Sequence, residues 1–137
     1  MNYNPLVSII CLCYNHEKFV PLALQSVIDQ TYPNIELIIV DDCSNDGSST
    51  AIKEWLRQHP EIVFIENTSN KGNTKSFNAA FAVSKGDYII DLAADDILNT
   101  NAVELQLEAF RTSIYDNLGI VYGNVELIFE DDTHFKY

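Results

Sequence analysis

Two pairs of adjacent aspartates are the residues in this sequence best suited to binding chemistry. Asp41 and Asp42 follow one apolar run directly, and Asp95 and Asp96 follow another after two alanines. Neighbouring carboxylates repel each other and have raised pKa values unless a cation or hydrogen-bond donors satisfy them. Mg²⁺ and Mn²⁺ take oxygen ligands and often share a carboxylate with substrate phosphates. The pairs therefore predict a site for a divalent cation and a phosphate-bearing ligand.

The elements that must position these carboxylates alternate between strands and helices. Apolar, β-branched runs predict strands at residues 6–13, 35–40, 62–66, 88–92 and 120–129. Apolar residues at helical spacing predict helices at residues 17–30, 49–59, 74–84 and about 101–113. This order predicts an α/β fold with a mostly parallel sheet and helices on both of its faces.

The polar residues that follow the predicted strands should meet at one rim of the sheet. Tyr14 and Asn15 follow the first strand, Asp42 the second, a loop with Gly72 the third, and Asp95 the fourth. Sheets of this kind bind ligands beyond the carboxyl ends of their strands. The rim is therefore the predicted binding site.

Charge narrows the classes of partner. The 137-residue chain has 20 acidic and eight basic residues, which give a net charge of −12. Nucleic-acid binding and direct contact with an anionic membrane both require clustered Lys and Arg, so the balance argues against both. The same charge means that a bound nucleotide would need a cation as a bridge. The length suits a single domain over residues 1–137.

The compartment is predicted from the cysteines and from the lack of targeting signals. Three cysteines without a CxxC pair predict free thiols in a reducing environment. The first residues carry no positive charge before the apolar run, so no signal peptide is expected. No apolar run approaches the roughly 18 residues of a membrane span. We expect a cytoplasmic protein with no membrane insertion in this segment, and peripheral membrane attachment of a full-length protein stays open.

Several short motifs occur one after another between residue 5 and about residue 125. They are Tyr14-Asn15, SVIDQTY at 26–32, VDD at 40–42, SNDG at 44–47 and NKG at 70–72. In this order and spacing they closely resemble a family 2 glycosyltransferase with the Rossmann-like GT-A fold. The chain is similar to the N-terminal, nucleotide-sugar-binding part of such an enzyme.

The resemblance implies roles for individual residues. Tyr14 would stack on the nucleotide base, Asp42 would accept a hydrogen bond from a base N–H, and Asp96 would hold Mg²⁺ or Mn²⁺. Asp95 would bind the ribose or assist with the cation. The implied donor-binding residues are Cys13, Tyr14, Asn15, Asp42, Gly72, Asn78 and Asp95, and the implied metal ligands are Asp96 and Asp95.

Two positions depart from the family pattern. Ala93 replaces the first aspartate of the family's metal motif, and Phe77 stands where an arginine is common. A cationic contact to the donor would then have to come from Lys71 or Lys75. The general base of the family belongs to the second half of the catalytic domain, so no catalytic residue is assigned, and we expect the chain to be truncated.

The resemblance implies transfer of a sugar, with inversion, from a nucleoside diphosphate donor to an acceptor hydroxyl. A UDP-sugar is the foremost donor, and the acceptor would be a glycan or a lipid-linked sugar in polysaccharide or glycan synthesis. A non-catalytic nucleotide- or sugar-binding module is the alternative. A dinucleotide-binding oxidoreductase would need a glycine-rich turn after the first strand, where Tyr14 and Asn15 stand instead.

Overall fold

Four parallel strands form the centre of the structure, a computed structural model that describes residues 3–128. The strands are β1 (Val7–Cys13), β2 (Ile35–Asp41), β3 (Val63–Glu66) and β4 (Tyr88–Ala93), in the order β3-β2-β1-β4. The helices between and after them are α1 (Val20–Ile28), α2 (Ser48–Trp55), α3 (Asn73–Phe81) and α4 (Ala102–Thr112). The predicted α/β class and parallel sheet are confirmed.

The core lies on both faces of the central strand β1. Ile10 of β1 pairs in register with Ile38 of β2, and both are buried against Ala80 of α3. Successive strand residues point to opposite faces. The alternate residues Ile9 and Cys11 are also fully buried, so neither face of β1 is open. An apolar run without polar alternation is what a strand covered on both sides requires.

Helix α1 begins three residues later than the sequence predicts, because the residues before it form part of a loop described below. Its buried residues Val20, Ala23, Leu24 and Val27 recur at helical spacing, and proline lies within its first turn. Proline there removes an N–H that has no partner within the helix.

Among the helices of the described residues, none is long and apolar enough to cross a membrane.

A glycine lets the chain pass close to β1 at the start of β4. The N–H of Gly86 donates to Ser8 Oγ over 2.8 Å, and an added Cβ would lie 2.5 Å from the backbone nitrogen of Ser8. We predict that Gly86→Ala lowers the free energy of unfolding by about 1–3 kcal/mol, as overpacking does. Urea denaturation measures the loss. Gly119→Ala, where nothing lies within 4 Å of the new Cβ, should be near neutral.

Contacts divide the chain into two compact units, of which the first ends at Val103 and the second begins at Glu104. The first unit contains the whole sheet. The second contains most of α4 and the residues that follow it. Because a domain is defined by independent folding, the single domain expected over residues 1–137 stays a prediction.

The strand predicted at residues 120–129 is wrong for the residues that the structure describes. Residues 120–127 have no helix or strand, and residue 128 forms only an isolated bridge. Ile120 is 78% exposed and Tyr122 is 88% exposed, so the apolar residues of this segment bury no common face. Strand preference depends on burial against neighbours, which this segment does not have. Residue 129 lies outside the described residues.

Candidate functional site

The site lies where the order of strands reverses. The chain runs from β1 to β2 on one side and later returns to β4 on the other side of β1. Such a switch point opens a crevice at the carboxyl ends of the strands. A cleft of about 490 Å³ occupies this place. Its lining residues are Leu12, Cys13, Tyr14, His16, Val40, Asp42, Asn70, Gly72, Asn73, Ser76, Asp91, Ala93 and Asp96.

Asn15 joins two loops at the rim of the cleft: loop A (residues 14–19, after β1) and loop B (residues 42–47, after β2). Its N–H donates to Ser44 Oγ over 3.0 Å, and its Oδ1 accepts from the N–H of Asn45 over 2.7 Å. Asn15 has a φ of 60°, a left-handed conformation in which asparagine is enriched. Its side chain holds the two loops together, and the predicted contact between Asn15 and the donor stays a prediction.

Further hydrogen bonds run in both directions between loop A and the region of loop B. The N–H of Glu17 donates to Asp46 Oδ2, and the N–H of Gly47 donates to Glu17 Oε2, both over 3.1 Å. The N–H of His16 donates to Ser48 Oγ over 2.9 Å. Burial acts to raise the pKa of Asp46, but hydrogen bonds from Ser48 and Glu17 outweigh it and lower the pKa. A charged Asp46 therefore stabilises this arrangement at neutral pH.

Tyr14 and Cys13 line the cleft in different ways. Tyr14 is 42% exposed, and its hydroxyl lies 3.5 Å from Asn45 Nδ2. A partly exposed ring next to a cleft can stack on a flat ligand. Cys13 is buried, its carbonyl accepts from the N–H of Asp42 over 2.9 Å, and burial raises the pKa of its thiol. Cys13 therefore contributes backbone and shape to the cleft and does not contribute a thiolate.

Asp42 is 6% exposed and holds the loop that follows β3. Its Oδ1 accepts from the side-chain amide of Asn67 over 2.8 Å and from the N–H of Lys71 over 2.9 Å. Its Oδ2 accepts from the N–H of Gly72 over 2.8 Å. Burial acts to raise the pKa of Asp42, but these bonds and the Ser76 hydroxyl lower it. Asp42 is therefore a charged acceptor in the wall of the cleft.

Gly72 takes a backbone conformation that favours glycine. Its φ is 81°, and its ψ is 156°, a region that other residues avoid. Its N–H donates to Asp42 and also to Asn70 Oδ1. The glycine in the NKG motif is therefore needed for the turn that brings Asn70 and Asn73 into the cleft lining.

The Asp41 carboxylate stabilises a backbone turn and does not line the cleft. Asp41 is buried, and its carboxylate accepts from the N–H of Ser44 over 3.0 Å and from the Ser44 hydroxyl. Cys43, between them, has a φ of 64°. The bonds from Ser44 hold loop B in the turn that this conformation requires.

The carboxylates after β4 fit a cation that is shared with a ligand. Asp96 lines the cleft, and Asp95 lies 3.6 Å from His16 Nδ1; both aspartates are exposed. Within residues 3–128, no group of three His, Cys, Asp or Glu side chains could hold a metal by itself. Mg²⁺ is commonly bound by one or two carboxylates together with substrate phosphates. Asp96, with Asp95 beside it, suits this shared mode and does not form an all-protein cage.

Three positions on α3 lie apart from the cleft lining. Asn78 is exposed, and Lys75 is exposed one turn before it. Phe77 packs against the core cluster around Ile10, so this position has an apolar role. Neither Asn78 nor Lys75 lines the cleft, so a contact between Asn78 and the donor stays a prediction.

Several residues that sequence patterns did not single out belong to the site. Asn73, Ser76 and Asp91 line the cleft, and Asn67 lies buried behind Asp42. Partial desolvation of its carboxyl group raises the pKa of Asp91, although the residue as a whole is exposed. The cleft brings these residues together from separate segments of the chain, so no local spacing marks them. Only Asn67, directly after β3, had a position that could have indicated a role.

The sequence is similar to those of known glycosyltransferases. The chain is 37% identical over 118 residues to a chondroitin synthase of Escherichia coli, covering 86% of this chain and 17% of that protein. It is 34% identical over 123 residues to an E. coli UDP-Glc:alpha-D-GlcNAc-diphosphoundecaprenol beta-1,3-glucosyltransferase, covering 90% of this chain and 47% of that protein. The chain thus spans less than half of the length of these curated relatives.

The fold is shared with solved glycosyltransferases of the GT-A type. A mannosyltransferase of Pyrobaculum calidifontis, solved with GDP-Man and Mn²⁺, superimposes with a TM-score of 0.72 at 24% identity, covering 82% of this chain and 34% of that one. This likeness shows the fold and confirms the predicted GT-A architecture. The sequence profile described as Glycosyl transferase family 2 matches residues 8–137. The chain belongs to glycosyl transferase family 2.

Proposed function

We propose that this chain is the N-terminal, nucleotide-sugar-binding part of an inverting glycosyltransferase that uses Mg²⁺ or Mn²⁺. The donor is a nucleoside diphosphate sugar, foremost a UDP-sugar, and the acceptor is a hydroxyl of a glycan or a lipid-linked sugar. The process is polysaccharide or glycan synthesis in the cytoplasm. The observation that carries the proposal is the cleft at the switch point, which combines the exposed Tyr14 ring, the charged Asp42 and Asp96.

Each of these groups suits one part of the donor. The Tyr14 ring offers a surface for the base, and Asp42 in the same cleft offers an acceptor for a base N–H. Asp95 is exposed at the rim, where it would meet a ribose hydroxyl. Asp96 in the cleft would hold the cation against the diphosphate. The relatives support this donor class, because one is named for a UDP-glucose donor and a structural neighbour was solved with GDP-Man and Mn²⁺.

The reaction breaks the bond between the anomeric carbon and the diphosphate oxygen. The acceptor oxygen forms the new bond from the opposite face, and its proton passes to a general base that we assign to no residue of this chain. When bound, the cation supplies Lewis-acid neutralisation of the departing diphosphate. The chain's own residues bind and orient the donor. The donor and acceptor can then react within one complex, so the step becomes effectively unimolecular.

Calorimetric titration with UDP, GDP and dTDP, each with Mn²⁺ and with EDTA, tests the proposal. We expect binding of one nucleotide, foremost UDP, that requires the cation. Inorganic diphosphate with Mn²⁺ is the control, because it separates recognition of the nucleoside from capture of a charged complex. If a chain that circular dichroism shows to be folded binds none of the three nucleotides, the proposed donor site is wrong.

A further inference from the structure

A buried asparagine at the end of β3 connects three parts of the site. Asn67 is 5% exposed, and its N–H donates to the carbonyl of Asp41 over 2.9 Å, which fixes its backbone against β2. Its side chain points between Asp42, Ser76 and Lys71, which belong to loop B, α3 and the loop that follows β3. Nothing in the proposed function gives Asn67 a role.

Every polar atom of the Asn67 side chain has a partner. Nδ2 donates to Asp42 Oδ1 over 2.8 Å and to Ser76 Oγ over 2.9 Å, and Oδ1 accepts from Lys71 Nζ over 2.8 Å. A flipped amide would place its oxygen against the Asp42 carboxylate and its NH₂ group against the Lys71 ammonium. Both contacts would be repulsive, so the orientation of the amide is fixed by the charges on either side.

The fixed amide restricts the carboxylate of Asp42. Oδ1 lies between the Asn67 amide and the N–H of Lys71, while Oδ2 faces the N–H of Gly72. Rotation of the carboxylate would break all three hydrogen bonds in a buried place, where unpaired donors are costly. Asp42 therefore presents one orientation to the cleft.

A single orientation of Asp42 is a means of distinguishing bases. Uracil carries an N–H at ring position 3, which a carboxylate accepts, whereas cytosine has a lone pair there and an amino group at position 4. A fixed carboxylate that is aligned with position 3 is repelled by cytosine. A carboxylate that is free to turn could follow the amino group instead.

We infer that Asn67 is a positioning residue that sets the Asp42 carboxylate and thereby makes the cleft prefer a base with a ring N–H, such as uracil, over cytosine. The inference rests on the proposed function, since it assumes that a nucleotide base meets Asp42. It extends that function by naming the residue that gives the site its selectivity.

The test compares UDP and CDP, each with Mn²⁺, on the 137-residue chain and two variants. Asn67→Ala should weaken UDP binding roughly tenfold, in line with the loss of one charge-assisted hydrogen bond, and should narrow the preference for UDP over CDP by a similar factor. Thr68→Ala, an exposed change at the next residue, should leave the affinities and their ratio unchanged.

The wild-type chain provides a second measurement in case Asn67→Ala does not fold. In an NMR titration, which uses Mg²⁺ because it is diamagnetic, the side-chain amide signals of Asn67 should shift and exchange more slowly with UDP and Mg²⁺, and less so with CDP. An unchanged UDP to CDP ratio in folded Asn67→Ala, or amide signals that do not respond to UDP, would overturn the role of Asn67 alone. Failure of the wild-type chain to bind any nucleotide would overturn the proposed function as well.

Discussion

Replacing Asp96 by alanine should remove the cation-dependent part of UDP binding and leave the fold intact. Asp96 lies in the cleft after the end of β4, and no described residue donates a hydrogen bond to its carboxylate. Its loss should therefore cost little stability. Since even partners outside the ligand shell alter metal affinity 10- to 100-fold, loss of a direct ligand should weaken UDP binding in Mn²⁺ by about 100-fold.

Calorimetry with Mn²⁺ and with EDTA measures this effect directly. In Asp96→Ala, the affinity in Mn²⁺ should fall to the value in EDTA. Asp116→Ala is the matched control, because it removes one exposed aspartate of the second unit and changes the net charge equally. An Asp96→Ala protein that keeps its response to Mn²⁺ would show that the cation binds elsewhere.

Asp42→Asn should weaken both nucleotide binding and the fold. The substitution keeps the shape of the side chain but provides one oxygen for the three N–H groups of Asn67, Lys71 and Gly72. At least one buried donor then faces an NH₂ group, which should lower the free energy of unfolding by about 1–3 kcal/mol. Urea denaturation measures this loss. Asp29→Asn, at an exposed position on α1's C-terminal side, is the control.

The same substitution should change how stability depends on pH. The pKa of Asp42 is lowered in the folded chain, so its contribution is present above about pH 4, the ordinary range of aspartate, and is lost as the pH falls through the lowered value. Asp42→Asn should therefore lose less stability than the wild type between pH 6 and pH 3. Parallel curves for the two proteins would contradict the charged state of Asp42. Asp46 retains a lowered pKa, so some slope should remain.

The fold could be predicted where periodicity and burial agree. The residues of β1 are apolar on both faces, and the structure covers both. The segment after residue 119 is also rich in β-branched residues, yet Ile120 and Tyr122 remain exposed. Composition records a preference for a strand, but a strand requires a neighbour to pair with, and local sequence does not contain that neighbour.

The location of the site could be predicted from the sequence, but the contacts of its individual side chains could not. Strand ends predicted that Tyr14, Asp42 and Asp96 would share one rim, and all three line the cleft. That Asp42 uses its carboxylate to hold Asn67 and Gly72 could not be predicted, because these contacts join residues 25 and 30 positions apart. Side-chain roles of this kind depend on how loops meet in three dimensions.

The bonds between loop A and loop B have a consequence for how this site can change. Asn15 and Glu17 bind the backbone of the opposite loop, while Ser44 and Asp46 bind back to loop A. Substitutions in contact with each other are not additive, so the effect of a change in one loop depends on the residue present in the other. Transplanting either loop alone into a related protein would leave half of these partners behind. We therefore expect the sequences of the two loops to change together, because the effect of a substitution in one loop depends on the sequence of the other.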